Sequence, residues 1–125
     1  MRDMSKLRDL ADLTPIQVWD GVRARRVQGD QLTLAIVELE PGAVVPEHRH
    51  PAEQNGIVIR GEVTFRVGDE ERRLGPGGTW QILGGVPHSV TTGPDGALVV
   101  DVFAPPRADW DALPTVETDP PAWPG

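Results

Sequence analysis

An all-β fold, either a sandwich or a closed barrel of short strands, is what this sequence predicts, and three observations point to it. Turn formers are dense, with 13 prolines and 14 glycines in 125 residues, which leaves little room for long helices. Apolar residues fall in runs of three to eight, rich in Val, Ile and Leu, at spacings that suit strands. Turn pairs such as Gly29-Asp30, Gly68-Asp69 and Gly84-Gly85 separate those runs.

Taken in order, residues 3–13 place Met4, Leu7, Leu10 and Ala11 at helical spacing, and Pro15 stops the pattern, so one short amphipathic helix is expected. From Ile16 the pattern becomes β-like. Val22 to Val27 alternates, with Arg23 and Arg25 on one face. Leu32 to Leu39 is apolar on both faces apart from Thr33 and Glu38, as in a strand covered on both sides. Further strands are expected at Ile57 to Ile59, Val63 to Val67, Arg72 to Leu74, Trp80 to Leu83, Val86 to Val90 and Ala97 to Phe103, with a break at Gly93-Pro94-Asp95-Gly96. A helical turn over 107–113 and a loosely ordered acidic, Pro-rich tail from Pro114 complete the chain. The expected division is an N-terminal segment over 1–14, a barrel over 15–113 and a tail over 114–125.

Composition excludes several classes of function. A hydrophobic share of 38% suffices for one core in a chain of this length. The formal charge of −7 argues against a nucleic-acid or anionic-membrane partner, since both need a basic footprint. No cysteine is present, so any metal must be held by nitrogen and oxygen. No apolar run reaches the length of a membrane span and no signal-peptide core stands at the N-terminus, so a soluble cytoplasmic protein is expected.

The three histidines carry the clearest chemistry. His48 and His50 lie two residues apart, which puts both on one face of a strand. Gln54 shares their parity and Glu53 does not; Glu47 also has the opposite parity to His48. His88 stands in a separate β run. Together they offer three nitrogens and one amide oxygen, a set suited to one borderline divalent cation (zinc, nickel, manganese or iron) with positions left open.

The spacing of these residues resembles the cupin family. Gly42, five residues, His48-x-His50, three residues, Gln54, six residues and Gly61 reproduce the first cupin motif. Gly77, seven residues, Gly85, two residues and His88 follow the second, fifteen residues later. The resemblance implies a double-stranded β-helix, the cupin jelly-roll barrel, with the metal inside its mouth. Three positions depart from the motifs. Gln54 stands where Glu is usual, Leu83 replaces a Pro and Thr92 replaces an Asn. The first departure keeps an oxygen ligand and removes its charge. A divalent ion held by neutral ligands keeps its full positive charge and favours an anionic or enolisable oxygen ligand.

A carboxylate interrupts the apolar run of the last strand at Asp101, and a group so placed needs a partner or a task. Phe103 shares its face by parity, and Arg107 follows a stiff Pro105-Pro106 corner. One reading is that Asp101 and Arg107 pair to pin the C-terminal segment. The other comes from a closer resemblance. His-Arg-His-Pro-Ala-Glu-Gln over 48–54, with Asp-x-Phe-x-Pro-Pro-Arg over 101–107, is similar to the KdgF-like group, the cupins of pectin and alginate breakdown. That group assists ring opening of 4,5-unsaturated monouronates to the linear keto form. Its metal ligands correspond to His48, His50, Gln54 and His88, and its Asp, Phe and Arg to Asp101, Phe103 and Arg107.

Three functions are therefore carried forward: a metal-dependent isomerase or lyase acting on a small anionic sugar, an iron or nickel dioxygenase, and a non-catalytic binding module. Trp80 is expected in the core and Arg60 at an exposed strand end; Trp110 and Trp123 are candidates to cover apolar surface. A homodimer is expected, with Trp19 and the first strand as candidates for exchange between subunits.

Overall fold

The computed structural model describes residues 5–117 and 120–124. Eight strands form among them: β1 (Ile16–Trp19), β2 (Val22–Gln28), β3 (Thr33–Leu39), β4 (Val44–His48), β5 (Glu53–Val67), β6 (Glu70–Leu74), β7 (Thr79–Ile82) and β8 (His88–Ala104). They pair antiparallel in the order β1-β2-β3-β8-β5-β6, while β4 joins β8 and β7 joins β5. The all-β jelly roll is thus the observed class.

Two long strands organise the barrel. β5 and β8 pair along almost their whole length, from Glu53 opposite Ala104 to Val67 opposite His88. The two short runs expected within each are therefore single strands. The Gly93-Pro94-Asp95-Gly96 stretch does not end β8: pairing with β5 continues on both sides of it, Thr92 opposite Val63 and Ala97 opposite Gly61, so these four residues bulge from β8 against Glu62 alone. Gly61 makes this possible: its φ is +79°, and a Cβ there would lie 2.1 Å from the Gly96 carbonyl oxygen.

Alternation along β3 explains the core. Thr33, Ala35, Val37 and Leu39 point inward and are buried, while Leu34, Ile36 and Glu38 point outward and are half-buried. Glu38 accepts from Arg25 at 2.8 Å and from Arg23 at 3.3 Å, so the two arginines share a face as their spacing suggests. The barrel interior is filled from Ile16, Val22, Val58, Val63, Phe65, Ile82 and Val99 among others.

The expected N-terminal helix is only a 3-10 turn at Leu10–Asp12, closed by the Asp12 amide on the Asp9 carbonyl. Leu7 is 89% exposed, Ala11 is exposed and Leu10 is only half-buried, and a turn this short has little stability of its own. Met4 lies outside the described residues. The helical turn expected near the C-terminus is present as a 3-10 turn at Ala108–Ala112. The tail from Pro114 starts out ordered: Gln17 donates to the Pro114 carbonyl, Val116 donates to the Pro15 carbonyl, and Thr115 bridges Ile16. β1 pairs with β2 of the same chain. No helix of the described residues is long and apolar enough to cross a membrane.

Candidate metal centre

His48 ends β4 and stands opposite His88, the first residue of β8. This pairing brings distant parts of the sequence to one point. His50 does not share a strand with His48, because β4 stops at His48 and the chain bends at Pro51-Ala52. The expected single face is thus replaced by two strands and a turn. The Gly84-Gly85 loop braces that turn, with the Gly85 amide donating to the His50 carbonyl at 2.9 Å. Gln54 follows on β5 and faces the interior, buried. Glu53 lies on the other side, half-buried and accepting from Asn55.

The three imidazoles converge, each with a ligand nitrogen within 4.8 Å of the others. Their tautomers follow from their partners. Nδ1 of His48, His50 and His88 lies 2.9, 2.8 and 2.9 Å from the carbonyl oxygens of Pro46, Ala52 and Val86. Each Nδ1 therefore carries the proton and donates, and each Nε2 keeps its lone pair. His88 Nε2 is buried with no hydrogen-bond partner among the described residues. Burial drives the His88 pKa down to about 4. His50 is also lowered, first by burial and then by the Arg107 charge. Neutral imidazoles are the form that ligates metal.

Gln54 supplies a second indication. Its amide nitrogen donates to Asp101 Oδ1 at 3.0 Å, which turns Oε1 toward His50 Nε2 at 3.1 Å. With His50 protonated on Nδ1, two acceptors face each other at that distance. A cation bound by both resolves this contact, as it resolves the orphaned His88 Nε2. The residues present therefore fit a divalent ion held by His48, His50, Gln54 and His88.

Asp101 lies on β8 and faces inward with Phe103. Its Oδ1 also accepts from the Trp80 indole N–H at 2.7 Å. Burial raises its pKa to about 6, against the opposing pull of the Gln54 and Trp80 hydrogen bonds and the Arg107 charge. Asp101 and Arg107 do not form an ion pair. Arg107 instead makes a two-bond fork to Asp109, with Nε and Nη2 each 3.0 Å from a carboxylate oxygen. Its guanidinium lies 4.9 Å from the Phe103 ring centre and 4.8 Å from that of Trp110. Its backbone N–H donates to the buried Thr33 hydroxyl at 2.9 Å. The Phe103 ring also meets His50 edge-on at 5.7 Å. All seven candidate residues thus gather at one end of the barrel interior.

A cavity of about 290 Å³ opens there. His48, Gln54, His88, Asp101, Arg107 and Asp109 line its polar end, and valines and leucines from both sides of the barrel line the rest. Trp19 also lines it and tilts against His48 at 5.1 Å. Trp80 lies in the core against Phe65, and Arg60 is exposed, donating to the Ala122 carbonyl.

Three participants carry no functional reading in the sequence: Gly56, which is paired in the sheet with both Trp80 and Asp101, the Trp80 N–H and Asp109. A lone glycine inside a strand signals close backbone approach, and a buried tryptophan N–H requires an acceptor. Both signals were present. Asp109 offered only its position two residues after Arg107.

Comparison with known proteins agrees with this fold. The pectin degradation protein KdgF of Dickeya dadantii is 28% identical over 102 residues, covering 79% of this chain and 93% of that protein. The solved structure of KdgF from Halomonas sp. is also 28% identical, covers 76% of this chain and 88% of that one, and superposes with a TM-score of 0.71. The dimethylsulfoniopropionate lyase DddQ of Ruegeria pomeroyi is 38% identical over 64 residues, half of this chain and 32% of that protein. The cupin domain model matches residues 35–103, more than half of the chain, which therefore belongs to the cupin family and resembles its small KdgF-like members.

Proposed function

We propose that this protein is a metal-dependent cupin that promotes conversion of a small 4,5-unsaturated uronate, or a close acidic relative, to its linear keto form. The observation that carries the reading is Asp101, a buried carboxylate in the cavity wall, hydrogen-bonded to Gln54 and sharing the cavity with Arg107. The similarity to two KdgF proteins supports the choice of substrate class.

A divalent ion bound at this centre supplies Lewis-acid polarisation of a substrate oxygen. The remaining work falls to side chains. Ring opening removes a proton from the anomeric hydroxyl as the bond from that carbon to the ring oxygen breaks. Tautomerisation then returns a proton to the double-bond carbon, so the net change is an isomerisation without redox. Asp109 is committed to Arg107, which leaves Asp101 as the cavity carboxylate free of an ion pair to move that proton. Arg107 spends Nε and Nη2 on Asp109 and keeps Nη1 for a substrate carboxylate. Phe103 holds the guanidinium from below and forms a wall for the sugar ring.

The test is loss of the unsaturated chromophore from galacturonate- and guluronate-derived substrates, compared with the spontaneous rate and with chelated protein. Acceleration by metal-loaded protein alone is the expected result. No acceleration would overturn the proposal; oxygen uptake with another substrate would then favour a dioxygenase, and turnover of dimethylsulfoniopropionate a lyase. In the same assay Arg107→Lys should raise KM more than it lowers kcat, since Lys cannot keep the two-bond fork to Asp109 and still present a further fixed donor to the substrate.

A homodimer is proposed as well. The outer face of the sheet joins Leu34 and Ile36 to Val102 and Val100, and extends them with Val27 and Ile57, which are 41% and 37% exposed. This apolar patch, flanked by Arg25 opposite Ile36 and Asn55 opposite Val102, suits a second copy. A monomeric mass by light scattering at micromolar concentration would contradict pairing.

A further inference from the structure

A glutamine ligand has two different ends. Its carbonyl oxygen carries lone pairs for a cation, and its amide nitrogen has none to give. A glutamate in the same place needs no such choice. Something in the protein must therefore hold Gln54 with the correct end toward the histidines. In the structure that partner is Asp101, whose Oδ1 accepts the Gln54 amide N–H at 3.0 Å.

Asp101 is itself held in place. The Trp80 N–H donates to the same Oδ1 at 2.7 Å, and the ring packs on Phe65 at 4.4 Å between centroids. The two groups meet across Gly56. In the sheet Gly56 is paired with Trp80 on one side and Asp101 on the other. A Cβ at Gly56 would lie 2.4 Å from the indole ring and 2.5 Å from Asp101 Oδ1. Any side chain there would occupy the space in which the hydrogen bond forms.

We propose that Trp80 and Gly56 are positioning residues of the metal centre, acting through Asp101 to fix the Gln54 carbonyl toward the ion. The chain of contacts runs from Gly56, which leaves the space, to Trp80, to Asp101 and then to Gln54. It gives Asp101 a role in metal binding separate from proton transfer, and it rests on the reading of Gln54 as a ligand. The carboxylate's charge is not what the role requires. An acceptor oxygen at that point is sufficient, and asparagine supplies one.

The experiment strips the full-length protein with a chelator and titrates it with cobalt(II), reading both the dissociation constant and the visible absorption of the bound ion. Asp101→Leu removes the acceptor and should weaken binding roughly ten- to hundredfold, the usual scale for partners of metal ligands, with an altered spectrum. Trp80→Phe keeps the ring on Phe65 and removes only the N–H; it should weaken binding several-fold with a native circular dichroism spectrum. Asp101→Asn should bind within about threefold of wild type, because its Oδ1 still accepts from both neighbours. If Asp101→Leu fails to fold, Trp80→Phe decides the matter. Wild-type binding with unchanged affinity in Trp80→Phe and in folded Asp101→Leu would overturn the inference, and so would an Asp101→Asn as weak as Asp101→Leu. Absence of cobalt binding by wild type would instead overturn the metal centre itself.

Discussion

Asp101→Asn is expected to lower turnover of the unsaturated uronate by about a hundredfold or more while the metal stays bound. The substitution conserves shape, and the asparagine carbonyl oxygen can still accept from Trp80 and Gln54, as Oδ1 does now. It removes the one property the chemistry needs, a group that takes up and returns a proton. The effect should therefore fall on kcat, with KM and metal content close to wild type. Parallel loss of metal would mean that the acidic side chain supports the centre rather than the reaction. Unchanged kcat would remove Asp101 from the proposed mechanism.

His88→Ala is expected to have the second large effect, loss of most of the bound metal. His88 is 2% exposed, its Nε2 has no other partner among the described residues, and it is the ligand that β8 brings to the cluster. The other three come from the contiguous stretch 48–54. Affinity should fall by more than about tenfold, since even the neighbours of metal ligands act on that scale. Because the folded state alone holds the site, added metal should raise the thermal midpoint of the wild type and leave the variant nearly unmoved. Elemental analysis and a melting curve with and without zinc check both parts.

Much of this arrangement was legible in the sequence. The spacing of His48, His50, Gln54 and His88 with their flanking glycines carried the centre, because ligand geometry in a barrel mouth constrains those positions tightly. Asp101 stood out as a charge in an apolar strand. The structure kept these residues together but changed the reason: parity along one strand does not unite His48 with Gln54, since the chain bends at Pro51-Ala52 between β4 and β5. The strand divisions at Gly61 and Gly96 were misleading because glycines that break an isolated strand here let β5 and β8 pass close to each other. The N-terminal stripe has helical spacing in the sequence, but Leu7 and Ala11 on it are exposed and only a 3-10 turn forms at Leu10–Asp12.

The glutamine in place of the usual glutamate also takes on a physical reason. A glutamate at position 54 would set two carboxylates about as close as the present 3.0 Å contact with Asp101, at a buried site where like charges repel. Gln54 keeps the oxygen for the ion and gives a donor to Asp101. That pairing depends on β5 and β8 lying in register, which no local pattern encodes.

The most direct test of the metal centre is a crystal grown with zinc or nickel and measured at that metal's absorption edge. The expected result is a single anomalous peak per chain, within coordination distance of the Nε2 atoms of His48, His50 and His88 and of Gln54 Oε1. A map with no peak among these four side chains, or with the ion bound elsewhere on the protein, would contradict it.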